Sequence, residues 1–278
     1  MDRIKPSIAE LTQHIGKASF FDTAKAIMTT DTFPKIFHKK IKIGDQTGVI
    51  AGICKGAGMI APNMATMLCF ILTDIAVEQK TMNQMLKKSV NRSFNRITID
   101  GDMSTNDTVL LMSNGYICNK PITEDSKHVN DFQSALDEIT YNLSSLIVKD
   151  GEGATKTIEV YVKNAKNESA AEKAAFSVAN SNLVKTAIYG NDPNWGRIMA
   201  ALGYSGVGFN ETKTDIFFNN VKVVKNGISN NKDMEATKTL KKNKIKIIID
   251  LHSGRSSAKV LTCDLTEKYV QINAEYKT

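Results

Sequence analysis

Residues 131–188, DFQSALDEITYNLSSLIVKDGEGATKTIEVYVKNAKNESAAEKAAFSVANSNLVKTAI, change their hydrophobic period twice. Phe132, Leu136, Ile139, Leu143 and Leu146 recur at three- and four-residue steps and mark one face of a helix, with Asp131 as its candidate N-cap. The turn Asp150-Gly151-Glu152-Gly153 ends that helix, and residues 157–162 alternate apolar and polar as a strand does. The Ala-rich residues 169–188 predict a second, long helix.

Upstream, residues 19–29 form an amphipathic helical pattern, followed by an extended piece that Pro34 interrupts and a strand near residues 47–53. A Gly-rich stretch, residues 55–62, comes next; Met82, Leu86, Val90 and Phe94 then predict a helix over residues 77–96. Downstream, strand-like runs occupy residues 215–224, 244–251, 259–262 and 269–276. In the last, Val270, Ile272, Ala274 and Tyr276 share one face while Gln271, Asn273 and Glu275 share the other. The softest point is the loop at residues 227–232, and no repeat is visible. Helices and strands interleave without regular β-α-β spacing, which favours a layered α+β fold over a doubly wound sheet.

The 278 residues are 42% hydrophobic and 23% charged, enough to bury a core and unlike a disordered or collagen-like chain. The longest apolar run, residues 64–72, falls well short of the roughly 18 residues of a membrane helix, and Met1-Asp-Arg-Ile-Lys-Pro6 is no secretory leader. The expectation is a cytoplasmic protein without membrane contact. Lysine and arginine number 36 against 29 aspartate and glutamate, a formal charge of +7. The basic residues are dispersed and no aromatics interleave with them, so the charge points mainly to a solvated lysine-rich surface and not to nucleic acid, with attraction of small anionic substrates left open. The cysteines (Cys54, Cys69, Cys118 and Cys263) form no C-x-x-C pair, and the four histidines are scattered, so no metal site is expected. Residues 100–111 resemble a calcium loop only in outline, with Thr105 at the glycine position and Leu111 at the closing glutamate position.

Lys55-Gly-Ala-Gly-Met-Ile-Ala-Pro-Asn-Met-Ala65-Thr66-Met-Leu-Cys places a small residue and a threonine after a Gly- and Pro-rich turn, ahead of an apolar run. A chain that cuts itself at such a pair exposes an α-amine with a pKa of about 7.7–8.0. That amine can take the proton from its own threonine hydroxyl. An Ala–Thr pair after a turn is also compatible with an ordinary loop.

The chain resembles the bifunctional glutamate N-acetyltransferase / ornithine acetyltransferase family of arginine biosynthesis. The resemblance is carried by Ala26-Ile-Met-Thr29-Thr-Asp-Thr32-Phe-Pro-Lys35, Lys55 to Leu68, Asp100-Gly-Asp-Met-Ser-Thr-Asn-Asp-Thr108 and Lys149-Asp-Gly-Glu152-Gly-Ala-Thr-Lys156. It continues in Tyr189-Gly-Asn-Asp-Pro-Asn-Trp-Gly-Arg197 and Tyr269-Val-Gln-Ile-Asn273-Ala-Glu-Tyr-Lys-Thr278, in the family's order. It implies a mixed α/β/β/α sandwich, incomplete at the amino terminus, and one acetyltransferase unit over residues 1–278, cut between Ala65 and Thr66 into residues 1–65 and 66–278. It implies a ping-pong transfer in which Thr66 takes acetyl from N2-acetyl-ornithine and passes it to glutamate. The implied substrate contacts are Thr29, Lys55, Thr66, Glu152, Asn273 and Thr278, with no metal or other cofactor. Acetyl-CoA is left open as a second donor, and two copies of each cleaved piece are implied.

Taken singly, Lys55 is a turn lysine, Glu152 a turn carboxylate and Thr29 a helix-end residue. Trp195 and Arg197 are expected to pack and to pair, not to line the site. The alternative enzymatic reading is a self-processing aminopeptidase or amidase; a basic nucleic-acid-binding protein is the non-enzymatic one. Family members also carry an amino-terminal region ahead of the position of Met1, ending in a Thr–Gly pair assigned to the oxyanion hole. The first threonine here is Thr12, followed by Gln13, so the 278-residue chain alone is expected to turn over poorly and to cut itself slowly.

Overall fold

The computed structural model describes residues 4–13, 15–17, 19–61, 67–104 and 106–275. Two short helices, α1 (Ile4–Gln13) and α2 (Phe20–Ala26), precede the hairpin β1 (Lys35–Ile43) and β2 (Gln46–Lys55). Strand β3 (Leu68–Thr73), helix α3 (Gln79–Arg92), strand β4 (Thr108–Ser113) and the long helix α4 (Val129–Lys149) follow. These strands form a four-stranded sheet in the order β1-β2-β3-β4, antiparallel except for the parallel pair β3–β4. Helix α4 packs on β1 and β2, and its buried face (Phe132, Leu136, Ile139, Leu143, Ile147) meets Ile50, Cys69 and Ile71 in one core. Gly52 allows this approach, because a Cβ there would lie 2.6 Å from the Leu143 side chain.

The remainder builds a second sheet from β5 (Thr157–Ala165), β6 (Asp215–Phe218), β7 (Val221–Lys225), β8 (Ile228–Ser229), β9 (Lys244–Asp250) and β10 (Ser256–Cys263), in the order β10-β5-β9-β6-β7-β8. Helix α5 (Glu168–Ala179) covers β5 and β10 with Ala171, Ala174, Ala175 and Val178, all fully buried small or β-branched residues that let helix and sheet approach closely. Helices α6 (Asn182–Tyr189), α7 (Trp195–Gly203) and α8 (Asp233–Leu240) contribute to the same core, and α9 (Glu267–Glu275) is the last described element. The layered α+β reading holds.

Several local expectations change. Residues 169–188 are two helices, because the Asn180–Ser181 step ends α5 and the Ser181 hydroxyl accepts the amide of Val184 to start α6. His128, not Asp131, occupies the N-cap position of α4; Asp131 lies in the first turn, within 3.2 Å of the His128 ring. Residues 215–224 are a hairpin that turns at Asn219, whose φ of +52° suits asparagine. The loop at residues 227–232 follows a turn at Gly227 and pairs β8 with β7, inside the second sheet. Residues 269–275 are helical, not extended. Their alternation fits both periods over so short a run, and the partly buried positions Tyr269 and Ile272 are three apart, as a helix requires.

Candidate functional site

Antiparallel pairing puts the end of β2 beside the start of β3, with Lys55 opposite Leu68. The connection between them therefore leaves and re-enters the sheet at one place. Parallel pairing of β3 with β4 sets Leu68 opposite Thr108, so the lead-in to β4 lies beside the head of β3. Ala65 and Thr66 fall within residues 62–66 of that connection, outside the described residues, as does Thr278.

On the β2 side, the Lys55 ammonium donates to the Thr29 hydroxyl at 2.9 Å, and Lys55 is only 8% exposed. An internal ion cluster fixes both residues. Lys35 is fully buried and its ammonium lies 2.5 Å from Asp31 Oδ1 and 2.5 Å from Asp150 Oδ2. Asp31 also accepts the amides of Gly56 (2.8 Å) and Thr29 (3.1 Å), and Asp150 accepts the amide and hydroxyl of Thr32. Burial pushes the Asp31 carboxyl up, but the Lys35 ammonium and the two amides outweigh it and hold the group below the usual carboxylate range.

The next turn is gripped by a second carboxylate. Asp100 accepts the amides of Met59 (2.6 Å) and Ile60 (3.0 Å), and Met59 sits at φ +55°. Burial raises the Asp100 carboxyl against those hydrogen bonds. On the β3 side, Asp107 Oδ1 accepts the Met67 amide at 2.6 Å, and burial again raises the carboxyl.

The chain leaving α4 closes the remaining side. The Glu152 amide donates to Ala57 O at 2.8 Å, and the Glu152 carboxylate lies over Gly58, where a Cβ would be 2.5–2.7 Å from its atoms. Asn273 Nδ2 donates to Glu152 Oε2 at 2.9 Å. Gly153, at φ +70°, permits this docking of α9, because a Cβ there would meet the Tyr269 amide at 2.6 Å. Burial and the negative charges of Asp100, Glu152 and Asp102 push the Tyr269 phenol up to about 12.

Four expected site residues therefore converge as two pairs, Thr29–Lys55 and Glu152–Asn273, on one short loop. Asn273 arrives on a helix and not on the polar face of a strand. Arg197 donates to Leu183 O (2.8 Å) and the Thr186 hydroxyl (3.2 Å), while Trp195 packs on the second core, so neither joins the cluster. Sequence reading passed over Asp31, Lys35, Asp100, Asp107, Asp150 and Tyr269 as site residues, although all lie in or beside the quoted motifs. A groove of about 870 Å³ between α3 and α5, lined by Arg92, Arg96, Glu168 and Glu172 among others, shares no residue with the cluster.

Residues 1–278 match the model of the ArgJ family. The chain is 48% identical over 280 residues to the arginine biosynthesis bifunctional protein ArgJ of Geobacter sulfurreducens, covering 100% of this chain and 71% of that protein. It is 46% identical over 290 residues to the glutamate N-acetyltransferase of Methanocaldococcus jannaschii, with 100% and 71% covered. A crystal structure of the ArgJ protein of Bacillus halodurans superposes with a TM-score of 0.72 at 42% identity, covering 74% of this chain and 98% of that one.

Proposed function

The chain belongs to the ArgJ family, and from that premise we propose that it is a glutamate N-acetyltransferase of arginine biosynthesis, moving acetyl from N2-acetyl-ornithine to glutamate through Thr66. One observation carries the reading. Lys55 is nearly buried, yet among the described residues its ammonium meets only a hydroxyl and no carboxylate; Glu152 meets only the Asn273 amide and no cation. A nearly buried ammonium is normally paired, whereas the half-buried Glu152 stands open to an incoming group. An unpaired cation and an unpaired anion on one loop suit a ligand carrying both signs, as α-amino acids do: Lys55 takes a carboxylate and Glu152 an ammonium.

In the proposed sequence, the Thr66 hydroxyl attacks the Ala65 carbonyl carbon, forming an ester as the peptide C–N bond breaks. The hydroxyl proton passes to the departing nitrogen, and water then splits the ester. The freed α-amine takes the hydroxyl proton when Thr66 attacks the acetyl carbonyl of acetyl-ornithine, so no neighbouring histidine is required. Ornithine leaves with its amine reprotonated, and glutamate's amine accepts the acetyl group in the second half. Thr278 as a further substrate contact, two copies of each piece and a cytoplasmic location belong to the same proposal; among the described residues no helix is long and apolar enough to cross a membrane. The word bifunctional in the relatives' names suits acetyl-CoA as a second donor.

Two measurements test this. Intact mass should show two species for the protein and one for Thr66→Ala. Consumption of acetyl-ornithine should depend on added glutamate; equal consumption without it would identify water as the acceptor and a hydrolase in place of a transferase.

A further inference from the structure

We propose that Asp107 and Asp100 are positioning residues for self-cleavage, holding the backbone on either side of the segment that is cut; the inference rests on the Ala65–Thr66 scission read above. Upstream, Asp100 accepts the amides of Met59 and Ile60, and the neighbouring Ile99 amide donates to Ile60 O at 2.8 Å. Downstream, Asp107 Oδ1 accepts the Met67 amide, and the neighbouring Thr108 amide donates to Met67 O at 3.0 Å. Both residue 60 and residue 67 are thus gripped twice, once through a carboxylate and once through a backbone amide, by the two ends of residues 99–108.

The pattern exceeds what turn capping needs. Met59 is held at a positive φ that a non-glycine residue adopts only when its surroundings impose it. Asp107 Oδ2 is buried and has no hydrogen-bond partner among the described residues, a costly arrangement for a group that only ends a strand. Both carboxyls are half-buried, and burial raises each of them against the amides they accept.

Scission supplies a reason. A threonine hydroxyl reaches the carbonyl of its own peptide bond only when the backbone is turned away from the extended conformation, and β3 begins at Leu68, two residues after Thr66. Fixing residues 59–60 and 67 restricts the chain between them, raising the effective concentration of hydroxyl at carbonyl; a displacement of about 1 Å in such a reaction costs on the order of 100-fold. Asp107 acts through Met67, so it is the hydrogen bond and not the charge that matters.

The test is a time course of intact mass at constant pH for the full chain, Asp107→Ala, Asp107→Asn, Asp100→Asn and Thr66→Ala, with melting curves for each. Asparagine at 107 keeps a carbonyl oxygen for the Met67 amide, so Asp107→Asn should cut within about 3-fold of the parent, while Asp107→Ala slows by about 30–100-fold at an unchanged melting midpoint. Asp100→Asn sets a donor against one of its two amides and should slow scission about 10-fold; it decides the matter should Asp107→Ala fail to fold. In the uncut Thr66→Ala background, hydrogen exchange at the Met67 amide should quicken with Asp107→Ala and recover with Asp107→Asn. Parent-like scission in Asp107→Ala or Asp100→Asn overturns the proposal, as does an Asp107→Asn variant as slow as Asp107→Ala. A parent indistinguishable from Thr66→Ala instead removes the self-cleavage reading, and this inference with it.

Discussion

Replacing Lys35 by methionine should cost about 3–5 kcal/mol of folding stability, because among the described residues it is the cation paired with two buried carboxylates. Lys35 is fully buried, its ammonium sits 2.5 Å from both Asp31 and Asp150, and their side chains are 0% and 2% exposed. Methionine fills a similar volume, so little of the loss comes from packing. What remains is a pair of carboxylates deprived of their counter-charge; against a total stability of about 5–15 kcal/mol the loss is large. Urea unfolding followed by circular dichroism gives the difference from the shift in midpoint at constant slope.

The sign with pH follows from Asp31. In the parent its carboxyl is held below the ordinary value, chiefly by Lys35 acting against burial, so its contribution is present above about pH 4 and is lost only as pH falls through the lowered folded value. In the variant burial is no longer outweighed by that cation, and folding takes up a proton at Asp31. The variant should regain up to about 1.4 kcal/mol per pH unit between pH 7 and 5 while the parent changes little. A variant within 1 kcal/mol of the parent at pH 7, or a gap that widens as pH falls, would refute the assignment of this cluster as the anchor of the loop.

Three further outcomes follow from named contacts. Lys55→Met should lower kcat/KM for acetyl-ornithine by about 10–100-fold with an unchanged melting midpoint, since it removes the charge-assisted hydrogen bond proposed for the substrate carboxylate; steady-state kinetics decide it. Gly58→Ala places a methyl group 2.5–2.7 Å from the Glu152 carboxylate atoms, so the carboxylate must turn off Asn273; KM should rise by about 10-fold or more while the Lys55 side stays intact. Ser181→Ala should cost about 0.5 kcal/mol in urea unfolding, the low end for a lost cap, because its bond to the Val184 amide is long at 3.4 Å.

What the sequence disclosed follows burial. Helix α4 was legible because Phe132, Leu136, Ile139 and Leu143 are all at 0% exposure, and a stripe so fully buried leaves an unambiguous period. Strand β4 was not, because it is a sheet edge with Leu110 and Met112 more than 40% exposed, which blurs the apolar alternation between the Asn106-Asp107 and Asn114-Gly115 turns. Helix α9 buries no residue completely, so no period dominated residues 269–276. The break between α5 and α6 was written in Asn180-Ser181, two residues that compete for backbone hydrogen bonds, but the surrounding alanines concealed it. In the site, Thr29, Lys55, Glu152 and Asn273 were reached through the motifs they stand in. The partnership of Lys35 with Asp150 spans 115 positions, a distance over which no local pattern reports.

The acidic residues around the loop divide by what they already hold. Asp31 is occupied by Lys35 and two amides, Asp150 by Lys35 and Thr32, Asp100 by the amides of Met59, Ile60 and Asp102, and Asp107 by the amide of Met67. Each therefore fixes backbone, and three of the four do so with most of their acceptor capacity spent. Glu152 differs: it is attached to the loop by its own amide on Ala57 O, and among the described residues its carboxylate, lying over Gly58, takes only the Asn273 amide. A carboxylate anchored through its backbone can meet an incoming cation without releasing the structure that positions it. Asp31 or Asp100 could not, since binding a ligand there would free Gly56 or Met59 and loosen the very segment on which the proposed cleavage depends. On the proposed reading this makes Glu152, and not Asp31 or Asp100, the group for a substrate amine.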